Sequence, residues 1–186
     1  MPKRVREHIA ITTVIKGILD HYPAGAATLR EFLQNTDDCG ATTQNFVLDT
    51  RSFSTTSLFH PVLEACQGPA LIATNDGLFK DADWKAITEI NTSSKTGDET
   101  TTGKFGLGFR SCYHITDTPQ IFSGNQLLTL DPHGRVPGYE GGFELNTSIE
   151  SDLEKYSDHF DAFAAVLPEN ADLAEYNGTA IRLPLR

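Results

Sequence analysis

Cysteine is scarce: three residues in 186 (Cys39, Cys66, Cys112), an odd number with no C-x-x-C spacing. That excludes a dense disulfide framework and a thiolate zinc site of the usual spacing, and predicts reduced, mostly buried thiols. Cations are scarce too, with 15 Lys and Arg against 25 Asp and Glu, a net charge of −10 and an isoelectric point near 4.9. A surface of that sign argues against nucleic acid and against an anionic membrane as partners, since both need a basic face. Any phosphate site must therefore be local, made of backbone N–H groups and one or two cations. No stretch is long enough to span a bilayer. The opening "MPKRVREHIAITTVIKGILDHYPAGAA" has a leader's order of basic, apolar and small residues, but Thr12, Thr13 and Lys16 interrupt its apolar run. It reads instead as a helix over about 4–21 with Ile11, Val14, Ile15, Ile18 and Tyr22 on one face. The expected compartment is the cytoplasm, with the nucleus left open.

What is present is 39% hydrophobic content over a length suited to one domain, residues 1–186. A helix containing "TLREFLQNTDDCGA" stops near Gly40, with Leu29, Phe32 and Leu33 as its apolar contacts. Alternation in "QNFVLDTR" and the apolar run "PALIATND" predict strands, and "DADWKAITEI" a helix capped by Asp81 or Asp83. "PQIFSGNQLLTLD" predicts a hairpin turning at Gly124–Asn125. "GFELN", a helix around 151–165 and "GTAIRLPLR" complete the chain. Interleaved helices and hairpins predict a mixed sheet with helices on one face. Residues 91–103, "NTSSKTGDETTTG", have no apolar anchor, which predicts a loop or lid.

Four features carry chemistry. Glu31, Asn35 and Asp38 fall at i, i+4 and i+7 and share a helix face that carries no cation. An amide one turn beyond a carboxylate suits Mg²⁺, while the carboxylate polarises water. The competing reading makes Thr28-x-x-Glu31 a capping box. Next, Gly103-Lys104-Phe105-Gly106-Leu107-Gly108 feeds a helix, where glycines admit a close ligand and free N–H groups meet phosphate; a tight turn is the alternative. Its spacing is not the dinucleotide fingerprint, and kinase signatures are absent. Asp76-Gly77 ends an apolar strand, where a carboxylate could accept from an exocyclic amine, or simply make a turn. Last, Gly178-Thr179 opens the final strand.

In combination and order, E-x-x-x-N-x-x-D, D-G, a polar lid ending in G-x-x-G-x-G, and G-T resemble the GHKL ATPase superfamily. That group includes heat shock protein 90 chaperones, DNA gyrase B, histidine kinases and MutL. "LREFLQNTDDCGA", "TGKFGLGFRSCYHITDTPQIFSGN" and "LDPH" are most similar to the sacsin-type repeat module. The resemblance implies an α/β (α+β) two-layer sandwich with ATP and Mg²⁺ in a pocket under a loop lid at about 91–103. It implies Glu31 as general base, Asn35 as Mg²⁺ ligand, and Asp38 near the nucleotide. Asp76 would read the adenine amine beside Gly77, supported by Thr179. Gly103, Gly106 and Gly108, with Phe105 and Leu107 between them, would wrap the phosphates. Lys95 and Lys104 are phosphate candidates from charge and location alone.

The chain departs from the family in two places. Cys39 follows the helix aspartate where Ala is usual, and Asp76-Gly77-Leu78-Phe79 lacks the second glycine of D-x-G-x-G. The expected activity is thus an ATP-binding, slowly hydrolysing chaperone-type module, with ATP or ADP as partner and client proteins or further domains beyond it. The rival is a scaffold that keeps the fold but has a closed pocket.

Overall fold

The computed structural model describes residues 10–21, 24–89, 108–167 and 176–186. The expected lid at 91–103, and with it Lys95, Gly103, Lys104, Phe105, Gly106 and Leu107, lies outside the described residues, as do residues 4–9 of the first helix.

Six strands form one sheet: β1 (Gln44–Asp49), β2 (Ala70–Asn75), β3 (Gln120–Gly124), β4 (Gln126–Asp131), β5 (Gly141–Asn146) and β6 (Tyr176–Pro184). Their order is β1-β2-β6-β3-β4-β5, and every pairing among them is antiparallel. The expected α/β sandwich forms, and its sheet, expected to be mixed but mostly antiparallel, is antiparallel among the described residues. On one face lie α1 (Ile11–Leu19), α2 (Ala26–Asp38), α3 (Asp81–Thr88) and a 3-10 segment, Phe109–His114. Ile15, Phe32, Ile87 and Phe109 from this layer meet Ala73, Ile121, Ile181 and Leu183 of the sheet.

Period-2 alternation aims the intervening residues at the opposite face. There Phe122, Leu127, Phe143 and Ala180 pack on Leu63 and Phe160. That face is not bare, as expected, but carries the 3-10 turn Pro61–Cys66, α4 (Glu150–Lys155) and α5 (Ser157–Asp161). The one helix predicted over 151–165 breaks at Tyr156, whose φ and ψ are −122° and 32°. Its ring is held edge-on to Phe59 at 5.4 Å. Each fully buried Phe or Leu contributes about 1.5–3 kcal/mol.

Two buried polar groups pin loops to this second face. Arg182 is fully buried and donates to Gln120 Oε1 at 2.9 Å and to the Gly68 carbonyl at 2.6 Å. Desolvation lowers its pKa to about 10. Asp131, also fully buried, accepts from Val136 N–H at 2.9 Å and Arg135 Nε at 3.3 Å. In "LDPH" the aspartate therefore closes its own turn. Cys66 and Cys112 are buried and Cys39 half-buried, all as free thiols. No helix among the described residues is long and apolar enough to cross a membrane.

His159 gives a pH-dependent test of this packing. Its Nε2 accepts from Phe59 N–H at 3.0 Å, and burial pushes its pKa down to about 4. The fold prefers the neutral ring, so this contribution is complete above the unfolded pKa of about 6.5 and is lost as pH falls towards 4. Urea unfolding should show a loss of roughly 1–2 kcal/mol between pH 7 and pH 5. Burial would raise Asp158, but hydrogen bonds from Ser57, Ser54 and Thr56 hold it below its ordinary value, whereas burial raises Asp161. His159→Gln, which still offers an acceptor to Phe59, should remove the slope. An unchanged slope in the variant would show that another group is responsible.

Candidate functional site

Helix α2 begins behind Gly25, with no side-chain cap. Thr28 is its third residue and fully buried, and its hydroxyl donates to the Ser111 carbonyl at 3.4 Å. The capping-box reading of Thr28 and Glu31 is therefore corrected: Thr28 packs inward, and Glu31 is too far along the helix to cap it. Phe32 anchors the helix, edge-on to Phe109 at 6.2 Å, while Leu33 is 54% exposed and anchors nothing. Gly40, at φ 77°, ends the helix in the left-handed region that glycine adopts most easily.

The polar line on α2 runs inward from solvent. Asp38 is exposed, Glu31 half-buried and Asn35 buried. Among the described residues the Asn35 Nδ2 has no hydrogen-bond partner, an unusual state for a buried amide. Glu31 lies against Gly108, where a Cβ would run into its carboxylate. Downstream of Gly108, the helix expected after the glycines is a six-residue 3-10 helix, Phe109–His114.

The sheet meets α2 through a row of three polar residues. Asn75 on β2 pairs with Thr179 on β6, which pairs with Ser123 on β3. All three share the face of Ala73, Ile181 and Ile121, the face that α2 covers. Thr179 Oγ1 lies 2.8 Å from Ser123 Oγ and donates to the Gly77 carbonyl at 2.7 Å. Asn75 accepts from Gly77 N–H at 2.9 Å through Oδ1 and reaches Thr36 Oγ1 at 3.3 Å through Nδ2. Thr36 also bonds Gln44 Oε1. Gly77 is crowded by Cys39 Sγ, and a Cβ at Gly178 would come within 2.8 Å of the Asn75 carbonyl. From Cys39 back to Glu31, these contacts cover about 12 Å of helix at 1.5 Å per residue.

Asp76 is placed elsewhere, which corrects its expected position. It accepts from Thr42 N–H at 2.8 Å, Thr42 Oγ1 at 2.6 Å and Thr43 N–H at 2.9 Å. The Thr42 hydroxyl, then the two backbone N–H groups, hold its carboxyl well below the usual carboxylate range. It is an exposed clasp on the turn after α2. The residue that sequence reading missed is Asn75, and spacing was the signal: in D-x-G-x-G the first position precedes the glycine by two, and Asn75 stands two before Gly77. Leu78 is 45% exposed, and Phe79 packs edge-on to Trp84 at 4.9 Å. A concavity of about 520 Å³ lies on the outward side of α2, among Leu33, Gln34, Asp37, Thr42 and Gln44. None of Glu31, Asn35, Asn75 or Thr179 lines it.

The sequence model of the family described as "Sacsin domain" matches residues 8–186. The chain is also 39% identical over 177 residues to Sacsin from Homo sapiens, an alignment covering 92% of this chain and 4% of that protein.

The Asp76 clasp has a direct test. Asp76→Ala should free the amides of Thr42 and Thr43 and speed their hydrogen exchange, while exchange across β2 and β6 stays slow. Unchanged protection at both threonines would remove the clasp from this description.

Proposed function

The chain belongs to the Sacsin domain family, and from that premise we propose that it is a Mg²⁺-dependent ATP-binding and slowly ATP-hydrolysing module of the GHKL type. The observation that carries this reading is the buried Asn35 side chain, whose Nδ2 has no hydrogen-bond partner among the described residues, on the helix face that also carries Glu31. Most buried amides are satisfied within the protein, so one that is not has capacity for a ligand. Its O and N exchange by a half-turn of the amide, which brings the oxygen to the free position.

The donor set fits Mg²⁺, which keeps several waters and takes one or two protein oxygens beside phosphate. Among the described residues, no group of three or more His, Cys, Asp or Glu could hold a metal alone, so the ion would come with the nucleotide. It would offset phosphate charge and polarise the terminal phosphoryl group. Asn35 would hold it through the amide oxygen, and Glu31 would take a proton from the attacking water.

Base recognition passes from Asp76 to Asn75. A carboxamide offers a donor and an acceptor side by side, the complement of an adenine edge, and Thr179 stands beside it. Gly77 and Gly178 let the chain pack closely at that end, where Cys39 Sγ and the Asn75 carbonyl leave no room for a Cβ. Asp38 would sit at the rim. Roles for Gly103, Phe105, Gly106 and Leu107 rest on the resemblance alone, and those of Lys95 and Lys104 on charge and location in the sequence. Client proteins or further domains, and a cytoplasmic setting, belong to the same proposal.

A scaffold without catalysis is favoured by one observation: both ends of the Asn75 amide are already engaged, by Gly77 and Thr36. Calorimetric titration with Mg²⁺–ATP separates the readings. One site per chain with ATP preferred over GTP supports the module, and silence at millimolar nucleotide supports the scaffold. Asn75→Ala should weaken ATP by about 1–3 kcal/mol, roughly 5- to 150-fold, while Asp76→Ala leaves base preference alone. Glu31→Gln should fold, bind Mg²⁺–ATP and lose roughly 10²-fold or more of single-turnover hydrolysis. Equal hydrolysis by the two proteins would deny Glu31 the role of base.

A further inference from the structure

Gly108 has φ −61° and ψ −45°, helical backbone open to any L residue. Conformation therefore does not require glycine here, and Ala would be the more favourable choice in such backbone. What glycine supplies is space. The three heavy atoms nearest to a Cβ at this position all belong to Glu31, with Cδ at 3.0 Å, Cγ at 3.5 Å and Oε2 far inside contact. Gly178 differs, since there a Cβ would meet the Asn75 backbone carbonyl, which cannot move aside. At Gly108 the obstacle is the free end of a flexible side chain.

We infer that Gly108 is a positioning residue for Glu31: its bare Cα is the surface on which the carboxylate rests, and it fixes where that carboxylate points. This rests on reading Glu31 as the general base, and it replaces the phosphate-wrapping role that the glycine pattern implies for this position. A methyl group at 108 displaces the carboxylate by rotation of the Glu31 side chain. It leaves Asn35, Asn75 and Thr179 where they are.

The test is Gly108→Ala in different Glu31 backgrounds. With Glu31 present, thermal unfolding should show little change or a small fall in Tm. With Glu31→Ala, where the space is empty, the same substitution should raise Tm. Equal shifts in the two backgrounds would overturn the contact. In single-turnover hydrolysis, Gly108→Ala should lose roughly 10²-fold with Mg²⁺–ATP affinity unchanged, and should add nothing to the loss in Glu31→Gln. A fall in affinity that is equal with Glu31 or Gln at position 31 would return Gly108 to the phosphates and defeat the inference. A wild type that binds but never hydrolyses defeats the base assignment itself, and the Tm pair separates that failure from loss of the contact.

Discussion

A β-strand sends successive side chains to opposite faces, and this rule organises the candidate site. At the ends of β2, β6 and β3 it places Asn75, Thr179 and Ser123 in register on the face beneath α2. The next residue, Asp76, turns away and finds Thr42 and Thr43. A slip of one residue in β2 would exchange a neutral amide for a carboxylate at one end of the row. The apolar alternation of Ile72 and Ala73, each committed to its own face, fixes that register.

Helix α2 is tied to this row at several points. Thr36 reaches Asn75, Cys39 crowds Gly77, and the Asp76 clasp fixes the turn that follows Gly40. Phe32 on Phe109 and Thr28 on Ser111 hold the other end. Between these ties Asn35 is buried, with no partner for its Nδ2 among the described residues, and Glu31 lies against Gly108. A helix so constrained holds its polar groups in place, which would lower the ordering cost of binding the proposed nucleotide. The buried amide is the cost of the arrangement, since an unsatisfied polar group opposes folding.

Much of the fold was legible from pattern. Alternation located β1, an apolar run located β2, and the Gly124–Asn125 turn located the β3–β4 hairpin. Asp83 does support the start of α3, accepting from Lys80 N–H at 2.8 Å. Long-range contacts decided what pattern missed. Tyr156 breaks a helix because its ring belongs with Phe59, and Thr28 abandons a cap because Ser111 lies beneath it. The α2 polar line was visible as spacing, but its gradient from exposed Asp38 to buried Asn35 depends on what covers it. Asp76 drew attention by its charge, whereas the position that meets Thr179 is set by strand pairing. A single sequence states that pairing only through its spacing to Gly77.

The proposal stands or falls on whether Asn35, Asn75 and Thr179 form one nucleotide site with Glu31. Side-chain amide resonances of Asn35 and Asn75, followed by NMR during titration with Mg²⁺–ADP, address it most directly. Both should move along one saturable isotherm, together with the backbone amides of Gly108, Phe109 and Thr179, while Thr42 and Gln44 outside α2 stay in place. Shifts confined to the concavity around Leu33 and Gln44, or no shifts at saturating nucleotide, would contradict the account.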